Sequence, residues 1–539
     1  MSPNNTKKNI QNRKRVIVIG AGAAGMACAD QLSLPENRDK YDVTLVDSVG
    51  YTGGQAFSIS VDGERYKGEK GADGKREQFL NQGVQGGSHI YHHTFHMFSK
   101  QGVQAEPVEL EVSFGKGKYF WTNSFPTKLV EEHAKEIKRF KWAVKMMRWF
   151  EVFFAIIPIK ISLKMFFFSD EFIERMIYPS LALFLGTGNA TPDLPTVMLE
   201  RLYTSPTYGM WYPIDDKSLS SNLPPMVVFP DLGDFYSKWQ KDLESRGVNV
   251  RLNTEVTSVI ERSSKGCRLT TRARREEEDG HNQNDRDQDI PEQEEHYDEI
   301  VFTCLADTAL RLLGKQAGFM EKRVLGSTKW SDDVTVTHTD TDYMRKWYEN
   351  DYTPDLAVNK LGDRDESERV NRAKSKFNPM YYIKQNPGDS KKLEMSFDCS
   401  NFQAQLKKHD LDFEDHIFQS IFLNTKHKKF WSKDEINPDK IIRVDWWHQL
   451  CHSWTHYLFV VPRIPFIQSK SKHTHYAGSW TIVNAHEAAV ISGLAAAYAL
   501  GAGYPEELEE DDFARLCFRS FLGLTHWKWF SRGEGVKNK

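Results

Sequence analysis

Two groups of residues have the types and spacing that chemistry needs. In "HQLCHSWTH", His448, His452 and His456 recur every four residues, a spacing that shares one face on a helix and also one face on a strand. Imidazole titrates near neutrality, so one of the three can act as a general base. In "VIVIGAGAAGMACA", Gly20, Gly22 and Gly25 follow an apolar run with the spacing GxGxxG. Such glycines form a turn in which bare backbone approaches a pyrophosphate. A third group, His89, His92, His93 and His96, could supply a metal-binding pair, but neither HExxH nor a cysteine partner accompanies it. No metal site is expected, and a structural role or lining of the substrate opening is preferred. No GxSxG elbow and no P-loop are present.

The glycines need elements that hold them. "VIVI" reads as a buried parallel strand, "AAGMACADQLS" as a helix and "YDVTLVDS" as a second strand ending in Asp47. Strand, glycine turn, helix, strand and acid within about 30 residues form a dinucleotide-binding unit. Gly20 makes the tight turn, Gly22 admits the pyrophosphate, and Gly25 lets the helix lie close to the strand. The helix N-terminus favours phosphate, and Asp47 can accept from ribose hydroxyls.

At 539 residues the chain is too long for one core, so two or three domains are expected. The formal charge of −3 gives no case for nucleic acid as a partner. Six scattered cysteines suit a reducing compartment. The polar, basic arm 1–13 leads straight into a strand-like run, which predicts a cytoplasmic protein. The stretch "WFEVFFAIIPIKISLKMFFF" is broken by Glu151, Pro158, Lys160 and Lys164, so it cannot span a bilayer. With its lead-in "KRFKWAVKMMRWF" it reads as a buried helix pair with solvated lysines. The alternative is a helix lying on a membrane surface, peripherally attached. Residues 272–296 are charged and nearly free of apolar side chains, so a mobile acidic insertion between two strands is expected there. Residues 504–539 read as an amphipathic helix and an aromatic tail; the oligomeric state is left open.

A second glycine pair, Gly53 and Gly54 in "GYTGGQAFS", follows Asp47. With it the chain resembles the flavin-containing amine oxidase and phytoene desaturase superfamily. The nearest likeness is to the amine-oxidase-like NAD/FAD-binding branch, through "GVQGGSHIYHHTFHMFSKQGV", "DVTVTHTDTDYM" and "WWHQLCHSWTHYLF". "VVFPDLGDFYSKWQKDLESRGVNVRLNTEVTSVIER", "YDEIVFTCLADTALRLL" and "HYAGSWTIVNAHEAAVISGLAAAYALG" are similar to the other flavin segments of that superfamily. The resemblance implies an α/β architecture. A Rossmann-like FAD-binding domain, discontinuous over 14–95, 225–320 and 471–503, is joined to an α+β substrate domain of 96–224 and 321–470. It implies FAD contacts from Val256 near the adenine and from Gly478, Ser479 and Trp480 near the flavin. Gln55 stands where such proteins often have arginine, and Ser479 where they usually have an acid; Glu487 follows later, near a helix start. The lysine that amine oxidases place near the flavin N5 has no motif here; Lys384 and Lys392 are candidates. The implied function is an FAD-dependent oxidoreductase (oxidase, dehydrogenase or desaturase) that removes a hydride from an apolar small molecule or an amine. Molecular oxygen or another acceptor would reoxidise it. A flavin-dependent isomerase or cyclase of an unsaturated lipid or isoprenoid, and a non-catalytic flavin-binding scaffold, are the alternatives.

Overall fold

The computed structural model describes residues 13–71, 74–186, 189–220, 222–275, 290–358 and 364–530. Most of the expected arm, the centre of the acidic insertion and the end of the tail lie outside these residues. The β-branched run that ends in Gly20 forms strand β1 (Lys14–Ile19), whose Val16, Ile17 and Val18 are wholly buried. Burial on both faces explains the unbroken apolar sequence. β1 lies at the centre of a five-stranded parallel sheet with β2 (Tyr41–Val46), β3 (Asn249–Arg251), β4 (Glu299–Phe302) and β5 (Thr474–Tyr476), in the order β3-β2-β1-β4-β5. Three distant stretches of chain therefore meet in one sheet.

Helices α1 (Ala23–Leu32) and α2 (His486–Leu500) cross on one face of this sheet. Their small residues set the distance. A Cβ on Gly493 would fall 2.1 Å from the Ala24 carbonyl oxygen, so only glycine permits this crossing.

The stretch after Gly247 reads in sequence as one strand but forms two. β3 joins the central sheet, Asn253 adopts φ +47°, and Thr254–Ser263 turns away into a three-stranded antiparallel sheet with Gly266–Ala273 and Gln293–Tyr297. The left-handed asparagine redirects the chain where glycine or asparagine is tolerated. Residues 293–296, expected inside the insertion, are strand: Thr271 pairs with Gln293 and Arg268 with His296. The segment between the two strands is therefore shorter than expected.

A second, seven-stranded sheet runs Ile441–Leu450, Trp330–His338, Phe418–Phe422, Asp389–Asp398, Tyr381–Asn386, Val112–Phe114 and Trp121–Thr122. The helices of 128–204 pack against it around Phe114, Trp121, Phe140, Met176 and Trp211. The sheet thus draws on both stretches assigned to the substrate side. Among the described residues, no helix is long and apolar enough to cross a membrane. The C-terminal helix Asp512–His526 closes one side of the molecule, and Phe530 beyond it rests on Tyr498, Tyr504 and Phe518.

Candidate functional site

One cavity of about 2250 Å³ runs between the two sheets. A single drug-sized site occupies about 300–1,000 Å³, so this space has room for two occupants.

Its floor is the glycine turn. Gly20 has φ +113° and Gly25 comes so close to it that a Cβ there would lie 1.8 Å from the Gly20 carbonyl oxygen. Gly22 caps α1 without a side-chain acceptor, and Gly22, Ala23 and Ala24 all line the cavity. The first N–H groups of α1 therefore face open space, the arrangement that receives phosphate. Gly53 and Gly54 complete the floor. Gly53 N donates to Ala21 O at 2.9 Å, and a Cβ on Gly54 would come within 3.2 Å of the Gly22 Cα. Here two loops meet with no side chain between them.

Asp47 stands at the end of β2, on the cavity wall. Its Oδ2 accepts from Ala21 N at 2.6 Å and its Oδ1 from Val49 N at 3.2 Å. Burial pushes its carboxyl up, against the pull of the Ala21, Val49 and Ser48 N–H groups. A carboxylate has about four lone-pair sites, so acceptors remain for a ribose. Beyond it, Thr254, Glu255, Val256 and Arg311 form one end of the cavity. Val256 precedes a register shift in its strand pairing.

The C-terminal flavin-like segment lines the same space. Gly478 has φ +133° and its N–H donates to Ser492 Oγ at 2.8 Å. Ser479 Oγ donates to Asn484 Oδ1 at 3.2 Å. Trp480 is buried in the core yet borders the cavity, and its indole Nε1 has no partner among the described residues. Glu487 does not replace the acid missing at Ser479. It accepts from His93 N at 3.0 Å and Thr94 N at 2.8 Å, and His93 Nδ1 lies 2.6 Å from it. It is thereby committed to the start of the helix His92–Lys100. His92 Nδ1 in turn lies 2.5 Å from Asp511 Oδ2. Among the described residues, no cluster of three or more His, Cys, Asp or Glu is placed to hold a metal ion.

Of the three spaced histidines, only His448 reaches the cavity. His448 lies within a strand that ends at Leu450, His452 follows in a loop, and His456 opens a π-helical turn, so even spacing gives no shared face. His448 Nδ1 lies 2.6 Å from Asp332 Oδ1 and its Nε2 2.9 Å from Asp307 Oδ2, while its ring stacks between Trp330 and Trp446. Gln55, in the position where arginine was expected, donates its Nε2 to the His448 carbonyl at 3.0 Å. That bond fastens the second glycine loop to the seven-stranded sheet. Burial pushes His452 down to about 4 and His456 down to about 3. His452 Nε2 accepts from Asn484 N at 2.9 Å, which suits a neutral ring that supports the flavin-like segment.

Lys384 is not at the cavity. Its Nζ lies 2.5 Å from Glu394 Oε2 and 4.0 Å from the centre of the Trp347 ring, buried within the second sheet. An inward position on Tyr381–Asn386 that alternates away from the cavity accounts for this: Tyr381 faces the space, and Lys384, an odd number of residues later, faces the other side. No lysine is among the described residues that line the cavity. Sequence reasoning missed the far wall: Leu183, Met198, Leu202, Tyr381, Met395 and Phe397. These read as ordinary core residues, and no local signal separates a cavity wall from packing. The stretch 83–88, whose part in a wall no local pattern announces, also lines the cavity.

The fold is a Rossmann-type dinucleotide unit whose cavity continues beneath a second sheet, and it is similar to the folds of solved oxidases, an amine oxidase among them. Residues 18–74 match the family described as NAD(P)-binding Rossmann-like domain. A protein assigned as a protoporphyrinogen oxidase from Exiguobacterium sp. 255-15 is similar over 90% of this chain and 98% of its own, with TM-score 0.55 and 12% identity. The CLA-producing fatty acid isomerase from P. acnes gives TM-score 0.55 and 12% identity over 89% of this chain and 97% of its own. Cyclohexylamine oxidase from Brevibacterium oxydans IH-35A gives TM-score 0.53 and 12% identity over 92% and 100%. No curated protein matches the chain by sequence.

Proposed function

We propose that the chain is an FAD-dependent oxidoreductase acting on a largely apolar small molecule. The observation that carries this reading is the continuity of the cavity. It joins the glycine turn and Asp47 to Gly478–Trp480 and then to the apolar wall of the second sheet. A nicotinamide site would require neither the Gly53–Gly54 loop nor the C-terminal segment.

The α1 N-terminus and Gly22 would hold the pyrophosphate, Asp47 a ribose, the Val256 backbone the adenine, and Gly478–Trp480 the flavin ring. The flavin, when bound, accepts a hydride from a C–H bond and passes two electrons to dioxygen or another acceptor. The chain's part is binding, orientation and exclusion of water. Leu183, Met198, Leu202, Met395 and Phe397 offer an apolar surface, and their burial by substrate would drive association. His448 stands at the cavity wall with both ring nitrogens engaged by Asp332 and Asp307, so its part would be to anchor that wall and orient what binds beside it.

An amine substrate has less support than a hydrocarbon-like one, because the lining lysine expected from the amine oxidases is not found among the described residues. The same wall favours a second reading, redox-neutral isomerisation of an unsaturated lipid.

Purified protein should be yellow and release FAD on denaturation, and its flavin should bleach when substrate is added without oxygen. Colourless protein that takes up no FAD would end both readings. Product mass separates them: loss of two hydrogens marks oxidation, unchanged mass isomerisation. Turnover of any substrate would rule out a scaffold.

A further inference from the structure

We propose that the helical face formed by residues 134–167 docks on an anionic lipid bilayer. Buried packing with solvated lysines accounts for only its inner side. In the helix Ala134–Trp149, Ile137, Phe140, Val144 and Met147 face the core, whereas Lys138, Trp142, Lys145 and Trp149 form one outward stripe at helical spacing. Trp149 is 78% exposed, Val152 90% and Phe167 83%, values that water alone would not favour for side chains of this size.

The patch is continuous. Trp142 meets Phe166 at 5.8 Å between ring centres, Phe166 meets Phe154 at 6.0 Å, and Phe154 meets Phe153 at 5.2 Å. It therefore joins the long helix, the short helix Glu151–Phe154 and the helix Ile159–Met165.

Its charge selects the partner. Residues 134–167 hold eight Lys and Arg against two Glu, in a chain whose overall charge is −3. Both acids are engaged: Glu136 accepts from Ser169 N at 2.7 Å, and Glu151 accepts from Arg201 Nε at 3.2 Å. Lys141, Lys160 and Lys164 pair with Asp216, Asp193 and Asp170, but Lys138 and Lys145 have no carboxylate partner among the described residues. Aromatic side chains flanked by lysines fit the boundary between headgroups and acyl chains. A protein partner would have to cover the same apolar face and meet the same positive charge; a lipid surface supplies both complements at once.

The patch also adjoins the cavity. Arg201 lines the cavity and holds Glu151, and Arg148 Nη1 donates to Thr204 O at 3.1 Å. The helix Thr196–Thr204 thus separates the docking face from the apolar wall by its own width. An apolar substrate dissolved in the bilayer would reach that wall by a short path. The docking itself does not depend on the flavin reading.

The test is flotation of the full chain with phosphatidylcholine vesicles, with and without phosphatidylglycerol. The protein should float with the anionic vesicles, less with phosphatidylcholine alone, and less in high salt. The double variant Lys138→Gln/Lys145→Gln should lower the partition coefficient roughly 25-fold, at about fivefold per charge. Trp149→Ser/Phe153→Ser should abolish flotation with no change in melting temperature, since both side chains are exposed. The proposal falls if wild-type protein stays with the soluble fraction, or if neither variant alters flotation. It also falls if sedimentation shows a dimer that Trp149→Ser/Phe153→Ser dissolves, because the face would then belong to a second copy.

Discussion

The Asp47 carboxylate accepts the Ala21 N–H at 2.6 Å, across the gap between the end of β2 and the turn after β1. One side chain therefore fixes the turn that would hold a pyrophosphate and faces the place a ribose would occupy. Asp47→Ala should leave a buried N–H without its acceptor, at a cost of about 1–3 kcal/mol in unfolding free energy. It should also weaken FAD binding by more than the loss in stability explains. Denaturant titration and flavin fluorescence titration, run on the same sample, check the two effects separately.

Gly22 and Gly25 should fail in different ways when replaced by alanine. A Cβ on Gly22 meets nothing closer than 3.9 Å, and its φ of −74° suits any residue. Gly22→Ala should keep the stability of the cofactor-free protein within about 0.5 kcal/mol. Its affinity for FAD should nevertheless fall, because the methyl enters the phosphate space. Gly25→Ala drives a carbon into the Gly20 carbonyl, and should cost about 1–3 kcal/mol or more through strain. Equal loss of stability in the two variants would contradict the geometry.

Arg262 and Glu321 form a two-armed ion pair at 2.6 and 2.7 Å, almost fully buried, with Tyr476 Oη donating to Glu321 at 2.6 Å. It ties the three-stranded sheet, the helix Phe319–Leu325 and β5 together. Leaving one charge buried without its partner costs about 3–5 kcal/mol, so Glu321→Ala should lower stability by that order. The Arg262 guanidinium and its neighbours hold Glu321 down at about 2 although burial opposes it. Its contribution is thus present above the ordinary carboxylate range and disappears as pH falls from about 4.5 towards 2. Urea unfolding of wild type and variant across that range should converge at its acid end.

His452 should make the fold acid-sensitive at a higher pH. Its folded value of about 4 lies below the ordinary 6.5, so the unfolded chain binds the extra proton first. Stability is full above about 6.5 and falls with acidification towards 4, by up to about 1.4 kcal/mol per pH unit for this one group. His338, His456 and His486 are also depressed by burial and add slopes of the same sign. His452→Asn should shallow the slope measured by urea unfolding between pH 6.5 and 4.5. An unchanged slope would mean that His452 is not buried neutral.

Much of the dinucleotide half is legible along the chain because its signals are local. The run from Val16 to Ile19, the spacing of Gly20, Gly22 and Gly25, and the acid ending β2 all lie within one short stretch. Each answers to backbone sterics that neighbours in sequence already impose. The half built on the seven-stranded sheet is different. His448, His452 and His456 have the spacing of a shared face, but the chain leaves the strand after Leu450 and the face is lost. Lys384 looks available in "YYIKQN", yet Glu394 on the paired strand takes its charge. Neither pairing is encoded nearby.

By itself, the order of residues determined the nucleotide-binding element, the charge-rich stretch between two strands, and the aromatic, basic character of 138–168. Each depends on composition or spacing that acts over a few residues. Only the folded chain decided which histidine faces the cavity, which lysine is sealed in the sheet, and which tryptophans are left outside. Those outcomes depend on burial, and burial is set by segments hundreds of residues apart, whose contacts no local pattern records.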